Sequence, residues 1–316
     1  MRPATDGVLL IDKAPNESSH DVVKKVRSAI RGKDKVKVGH AGTLDPFATG
    51  LLVCLVGQGT KLSQFIMAGE KEYVATLVLG VETDTMDPSG RVTATAAIPP
   101  MTVEQVRETA GRFTGRLRQV PPAYSAVRYQ GKRAYQLARK GHAVSLEARE
   151  VEVHSFEIVS MALPEVTARI RCSSGTYIRR LASDLGKALG TGGHLRSLRR
   201  VRSGSFDVAD AVCSTEIGGR ARGTSLLERI IPMRESLLHM REVVVSPETA
   251  ERVRQGRQPV WEELRPGLEE GPGWEADLKD GWIKVVSDHT LVAILHITAA
   301  DGGNRGTVKI ERVFLS

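Results

Sequence analysis

Cysteine is scarce: Cys54, Cys172 and Cys213 are the only three, they lie far apart, and no two form a CxxC pair. That spacing argues against a zinc site and against a disulfide framework, and reduced thiols point to a cytoplasmic setting. No apolar run reaches the ~20 residues that span a bilayer. The opening Met-Arg-Pro-Ala-Thr-Asp-Gly holds no signal-peptide core. The expectation is a soluble, cytoplasmic protein without membrane contact. Enzyme signatures that depend on metal or nucleotide are missing too: there is no HExxH, no GxSxG and no GxGxxG following a strand. Gly57-Gln58-Gly59-Thr60-Lys61 lacks the order of a phosphate loop, and Asp84 and Asp87 have the wrong spacing for an EF-hand. The eight histidines are scattered, which argues against a metal cluster. Chemistry, if there is any, falls to a carboxylate, Tyr, Arg or His working with neither metal nor cofactor.

Aromatic residues make up only 4% of the chain, so each Tyr and Trp is worth locating. What the chain does have is a globular balance, 41% hydrophobic and 26% charged over 316 residues, and a net charge of +8. The length suits about two domains. The positive surplus draws the protein toward polyanions, nucleic acid first, although a merely basic soluble protein would look the same.

Val8 to Ile11 reads as a buried strand. Ser18-x-x-Asp21 then has the form of a capping box, with Val22, Val23, Val26 and Ile30 on one helical face and Gly32 placed to end the helix. Tyr73, Ala75, Leu77 and Leu79 share one face of an alternating strand, and Asp87-Pro88-Ser89-Gly90 is a turn that returns the chain as a paired strand over 91–95. Thr102-x-x-Gln105 caps a second helix. Strands follow at 151–158 and 166–172, then a helix from about Arg180 to Leu189 ended by Gly190. Composition changes near residue 215. A helix is expected at about Leu226 to Leu238, and a Pro/Gly/Glu-rich stretch runs from Glu262 to Glu275. Short strands at 282–286, 291–297 and 307–314 close the chain as a small β-rich domain. Strands and helices mix without a regular βαβ rhythm, so the class is α+β.

Gly39, Gly42 and Gly50 flank Asp45, which stands among Leu44, Pro46, Phe47 and Ala48. On composition this is a loop where backbone can approach a ligand beside one carboxylate, and equally an ordinary turn aspartate before a proline. The run GHAGTLDPFATGLLVCLVGQGTKLSQF (39–65) resembles the catalytic motif of the TruB family of tRNA pseudouridine synthases. GVLLIDKAPNESSHDVV (7–23), QVPPAYSAVRYQGKRAYQLARKG (119–141) and CSSGTYIRRLASDLGKALGTGGHLRSLRR (172–200) resemble its other signatures in the same order. One departure is Ala14, which separates Lys13 from Pro15 where the family has Lys-Pro.

The resemblance implies a catalytic core at 1–238, a mixed and largely antiparallel sheet flanked by helices and loops around an RNA cleft. It also implies a PUA-like RNA-binding β domain at 239–316. The implied activity is that of a tRNA pseudouridine-55 synthase acting on the T-loop uridine, needing no cofactor or metal. The implied partner is the T-arm and loop of tRNA, bound by a monomer. Asp45 corresponds to the catalytic aspartate, Arg179 to the arginine that pairs with it, and Tyr73 to the tyrosine that stacks on the extruded uracil. Tyr73 is also a candidate for removing the C5 proton. His40 corresponds to the histidine that fills the space left by the flipped nucleotide, Tyr177 and Leu198 to pocket walls, and Lys61 to a basic residue making a phosphate or structural contact. The basic residues of 33–37, 128–139 and Arg196, Arg199, Arg200 and Arg202 are expected to line the cleft. Two other readings stay open, a guide-RNA-dependent rRNA synthase and a non-catalytic RNA-binding or RNA-folding protein on the same scaffold.

Overall fold

The computed structural model describes residues 6–30, 36–217, 226–268, 280–298 and 307–315. Its first strand, β1 (Gly7–Lys13), is buried on both faces. Leu9 and Ile11 join one hydrophobic cluster while Val8 and Leu10 join a second, each side chain contributing about 1.5–3 kcal/mol by burial. The capping box at Ser18 forms as its spacing predicts and opens α1 (Ser19–Ala29). The helix ends with Ile30 as its cap, and Gly32 lies outside the described residues. Then come β2 (Val38–His40) and β3 (Thr49–Val56), a 3-10 turn at Gly57–Leu62, and α2 (Ser63–Ala68). In β4 (Lys71–Leu79) burial alternates strictly, with Tyr73, Ala75, Leu77 and Leu79 inward.

Beyond β4 the chain makes a small ribbon of β5 (Val81–Thr83) and β6 (Val92–Thr95). The strand after the Asp87 turn therefore pairs with β5. The second capping box opens α3 (Val103–Gly111), followed by β7 (Gly115–Gln119), the two-residue strands β8 (Arg128–Tyr129) and β9 (Lys132–Arg133), and α4 (Ala134–Ala138). A long hairpin, β10 (Arg149–Ala162) with β11 (Glu165–Cys172), leads into α5 (Ile178–Ala188) and β12 (Gly193–Ser203).

The main sheet has 11 strands. Its central order is β1-β3-β12-β4-β11-β10-β7, with β2 on the side of β3. Pairing is antiparallel throughout this run except between β12 and β3, so the sheet is mixed and largely antiparallel, as expected for the α+β class. The parallel β3/β12 join matters for function because it sets the chain leaving the Asp45 segment beside Arg199 and Arg200.

The helix expected over 226–238 does not extend that far. A two-residue strand at Ile231–Pro232 and a 3-10 turn at Glu235–Leu237 take its place. Pro232 is the physical reason, since it removes a backbone donor and clashes with the preceding turn of a helix. The following segment forms a separate four-stranded sheet of Arg241–Val244, Asp280–Ser287, Thr290–Thr298 and Thr307–Val313. Two helices accompany it, Pro247–Arg254 and Trp261–Leu268, the second covering the start of the Pro/Gly/Glu-rich stretch. Phe65, Leu237, Val286, Leu291, Ile294 and Phe314 lie in one cluster with Val8, Leu51 and Val53, so this small sheet packs against one face of the large one.

Candidate active site

Asp45 sits in the connection between β2 and β3, and that connection is braced from several sides. The Ser19 hydroxyl, in the first turn of α1, donates to Leu44 O (3.0 Å) and accepts from Leu44 N (2.9 Å). The backbone of Asn16, in the left-handed region at φ 64°, donates to Pro46 O (2.9 Å). Lys13, fully buried, donates from Nζ to the carbonyl oxygens of Ala14 (2.9 Å), Glu17 (2.8 Å) and Pro46 (3.1 Å). Burial draws its ammonium down to about 8. The loop is thus fixed in place. Two of its glycines, Gly42 and Gly50, lie close to Arg200. Gly50 has φ 97° and lies inside β3, and a Cβ there would fall 2.3 Å from Arg200 O. A Cβ on Gly42 would stand 3.3 Å from the Arg200 guanidinium.

Arg179, in the first turn of α5 and 4% exposed, meets Asp45 with both ends of its fork: Nε to Oδ2 at 2.9 Å and Nη2 to Oδ1 at 3.3 Å. Its remaining donors go to Tyr124 O (2.9 Å) and Thr85 O (3.0 Å), and Nη1 also lies 3.3 Å from Asp87 Oδ2. Asp87 is itself buried and held at Oδ1 by the Thr85 hydroxyl (2.6 Å) and by Ser89 N (3.0 Å). One guanidinium therefore serves two carboxylates. The Asp45 side chain keeps 34% of its surface exposed while protein crowds it elsewhere. Burial raises its pKa most, the Arg179 charge opposes that, and the nearby Asp87 charge raises it further. The result is a carboxylate more basic than an ordinary aspartate, fixed in direction by a bidentate partner.

Tyr73, on the inward face of β4 and 9% exposed, is near enough to Asp45 for the carboxylate charge to act on its hydroxyl. Burial pushes its phenol up, with the Arg200 guanidinium partly opposing. Leu198 is buried on β12, opposite Ala75 and one inward position from Tyr73. Tyr177 is the N-cap residue of α5, and buried Gln119 grips its backbone, accepting from Tyr177 N (2.7 Å) and donating to Tyr177 O (3.2 Å). His40 ends β2; its Nδ1 is buried without a hydrogen-bond partner, and burial followed by the Arg200 charge lowers its pKa, which keeps the ring neutral.

Lys61 does not join this group. Its Nζ donates to Gln58 Oε1 (3.1 Å) and Val313 O (2.9 Å) and lies 5.5 Å from the centre of the Phe314 ring. Gln58 in turn exchanges hydrogen bonds with the Leu315 backbone. Lys61 therefore fastens the C-terminal strand to the turn after β3, which is the structural of its two expected contacts. Of the basic residues expected in the cleft, Arg196 pairs with Glu165, and Arg199 pairs with Asp12 in a bidentate contact at 2.9 and 2.7 Å. Arg200 is 1% exposed. Of the 33–37 stretch, 33–35 lie outside the described residues.

Sequence reasoning missed Asp87 and Gln119, gave Lys13 no role, and took Arg200, which is buried, for a cation lining the cleft. Asp87 carried a signal in the polar cluster Thr85-Met86-Asp87-Pro88-Ser89, which reads more readily as a plain turn. Arg200 follows Leu195 and Leu198 at inward positions of β12, and a cation on an apolar face was the available clue. No group of His, Cys, Asp and Glu side chains among the described residues is arranged to hold a metal ion.

Residues 27–178 match the model of the TruB family pseudouridylate synthase N-terminal domain, and residues 179–239 match that of the tRNA pseudouridylate synthase B C-terminal domain. The tRNA pseudouridine synthase B of Syntrophus aciditrophicus (strain SB) is 41% identical over 314 residues, 98% of each chain. That of Geobacter sulfurreducens (strain ATCC 51573 / DSM 12127 / PCA) is 41% identical over 288 residues, covering 90% of this chain and 93% of its own. Among solved structures, a chain from a crystal structure of a Cbf5–Nop10–Gar1 complex superposes with a TM-score of 0.70 at 23% identity, covering 98% of this chain and 85% of the other. At that identity the likeness concerns the fold.

Proposed function

The chain belongs to the TruB family of pseudouridylate synthases, and on that premise we propose that it isomerises the T-loop uridine of tRNA to pseudouridine. The observation that carries this reading is the Asp45 carboxylate, partly exposed and gripped by Arg179 at 2.9 and 3.3 Å. In the reaction the uracil N1–C1′ bond breaks and a C5–C1′ bond forms. C5 gives up its proton and N1 gains one, so the product is an isomer and no oxidant or second substrate enters.

Each residue has a task in that sequence. Asp45 supplies a fixed, ionised carboxylate beside the ribose C1′ and uracil C6. Arg179 favours the ionised form and sets its direction. Tyr73 offers a ring face on which the detached base stays stacked while it turns, an interaction typically worth ~1–3 kcal/mol per base. Leu198 and Tyr177 wall the pocket. His40, kept neutral, enters the space from which the nucleotide is flipped and offsets part of an unstacking cost of about a few kcal/mol. The net charge of +8 serves the phosphate backbone. The C-terminal sheet, taken as a PUA-like module over 239–316, extends the RNA surface toward the acceptor stem. We take the protein to act as a monomer in the cytoplasm.

The guide-RNA-dependent reading draws on the Cbf5 likeness, which is at the level of fold. The relatives matched along nearly their whole length are named for tRNA, and that favours tRNA as the substrate. The deciding experiment uses unmodified tRNA tritiated at uridine C5 with purified protein and no guide RNA. Tritium release at the T-loop uridine is expected. Binding without release would refute the enzyme reading, and release only with an added guide RNA would favour the other one. Asp45→Asn is expected to abolish release while tRNA affinity stays within about tenfold, the signature of a group acting in the transition state.

A further inference from the structure

Arg200 is the largest side chain in the protein with under 2% exposure, and among the described residues it makes no ion pair with a carboxylate. A buried, unpaired cation is expensive unless every donor is matched. Here the matching partners belong to the active site. Nε donates to Leu51 O on β3 (2.7 Å), and Nη2 donates to Gly42 O in the segment that carries Asp45 (3.1 Å). Across the β12/β4 ladder Arg200 stands directly opposite Tyr73. The guanidinium charge acts on the Tyr73 hydroxyl and opposes the effect of burial there. The close contacts at Gly42 and Gly50 are with Arg200 as well, at positions whose left-handed backbone already favours glycine.

We propose that Arg200 is a positioning residue, a buried clamp that holds the Tyr73 ring and the Asp45 segment in one fixed relation. The inference rests on the pseudouridine synthase reading and adds to it a residue that itself never reaches the substrate. The geometry explains why an arginine stands here. On this proposal one planar fork serves three groups on separate elements, the Leu51 and Gly42 carbonyls and the Tyr73 hydroxyl across the ladder, and neither an ammonium nor an apolar side chain can serve all three. The absence of a carboxylate partner also follows, because a second acid would draw the fork away from the hydroxyl and the Gly42 carbonyl. The same cation, 1% exposed, is placed to orient groups in the site rather than to bind phosphate.

The test compares wild type, Arg200→Lys, Tyr73→Phe and the double variant in single-turnover tritium release, with tRNA affinity and melting measured alongside. Arg200→Lys is expected to slow release roughly 10–100-fold, as a misplaced catalytic geometry does. Its tRNA affinity should stay within about threefold, since the loss concerns the transition state and not substrate binding. In the Tyr73→Phe background the same substitution should slow release by less than about threefold, because linked residues are non-additive. Full additivity, or a loss of tRNA affinity as large as the loss of rate, would overturn the proposal. Tyr73→Phe supplies a check that survives if Arg200→Lys does not fold. Removing the hydroxyl strips a buried donor of its acceptor, so the melting temperature must fall; an unchanged or higher one refutes the clamp. If wild type releases no tritium, the functional reading fails, while the melting result still decides whether the contact exists.

Discussion

Replacing Asp87 with Asn isolates the far side of the Arg179 fork. Asp87 Oδ1 receives the Thr85 hydroxyl (2.6 Å) and Ser89 N (3.0 Å), whereas Oδ2 faces Arg179 Nη1 (3.3 Å). Asparagine can keep its carbonyl oxygen where Oδ1 is, so the Thr85 and Ser89 bonds survive. Its amide then points donor against donor at Nη1, and only the charged contact is lost. A hydrogen bond to a charged group contributes about 1.5–3 kcal/mol. For a domain of this size that lowers Tm by about 2–4 °C per kcal/mol, or ~3–12 °C in all. Arg179 keeps Asp45, Thr85 O and Tyr124 O, so the fold survives, but its orientation slackens, and release is expected to slow roughly 10–100-fold. The pH profile adds a signed check. The Asp87 charge raises the Asp45 pKa, so Asp87→Asn must move the acid limb of the single-turnover rate to lower pH. Calorimetry and tritium release over a pH series measure all three effects. An Asp87→Asn protein as stable and as fast as wild type, with an unmoved acid limb, would show that Asp87 does not anchor Arg179.

Lys61→Met is expected to lower Tm by releasing the Val313 carbonyl and the Phe314 ring, with single-turnover release at saturating protein unchanged; slowed release at full saturation would return Lys61 to the catalytic group. Burial, followed by the Arg200 charge, lowers the Lys71 ammonium from 10.5 to about 8. Between those values the unfolded chain binds more protons at this group than the native one, so its contribution to stability rises with pH. The melting difference between wild type and Lys71→Met should therefore shift in favour of wild type from pH 8 to 10.5, and a flat difference would mean that Lys71 is not buried as a charge. Gly50→Ala forces a Cβ to 2.3 Å from Arg200 O at φ 97°, and is expected to leave little folded protein by circular dichroism; a cooperative melt near the wild-type temperature would contradict the packing at that strand.

Local chemistry made much of the molecule legible before folding. The Ser18/Asp21 and Thr102/Gln105 boxes form at the helix starts their spacing marks, because a cap is satisfied within four residues and needs nothing from afar. The inward set Tyr73, Ala75, Leu77 and Leu79 follows from a period of two. Asp45 and Arg179 are picked out by the resemblance of their motifs, and Tyr73 by the family resemblance outside those motifs; the fold sets Arg179 against Asp45 with Tyr73 nearby. Local pattern failed at Leu226 to Leu238, where helical spacing of apolar residues was outweighed by Pro232. It failed as well for residues whose partners are distant in sequence. Asp87 reads as a turn residue until α5 delivers Arg179 to it, and Lys61 reads as a site cation until the last strand takes it up at Val313. Arg200 and Lys13 are the clearest cases. Arg200 is matched by backbone carbonyls of other segments, and Lys13 by that of distant Pro46 together with those of nearby Ala14 and Glu17. A carbonyl is present at every residue and so leaves no mark in a sequence. Motif resemblance thus picked out the groups proposed for the chemistry, while the tertiary structure alone decided what holds them, because that depends on acceptors brought close only by the folded sheet.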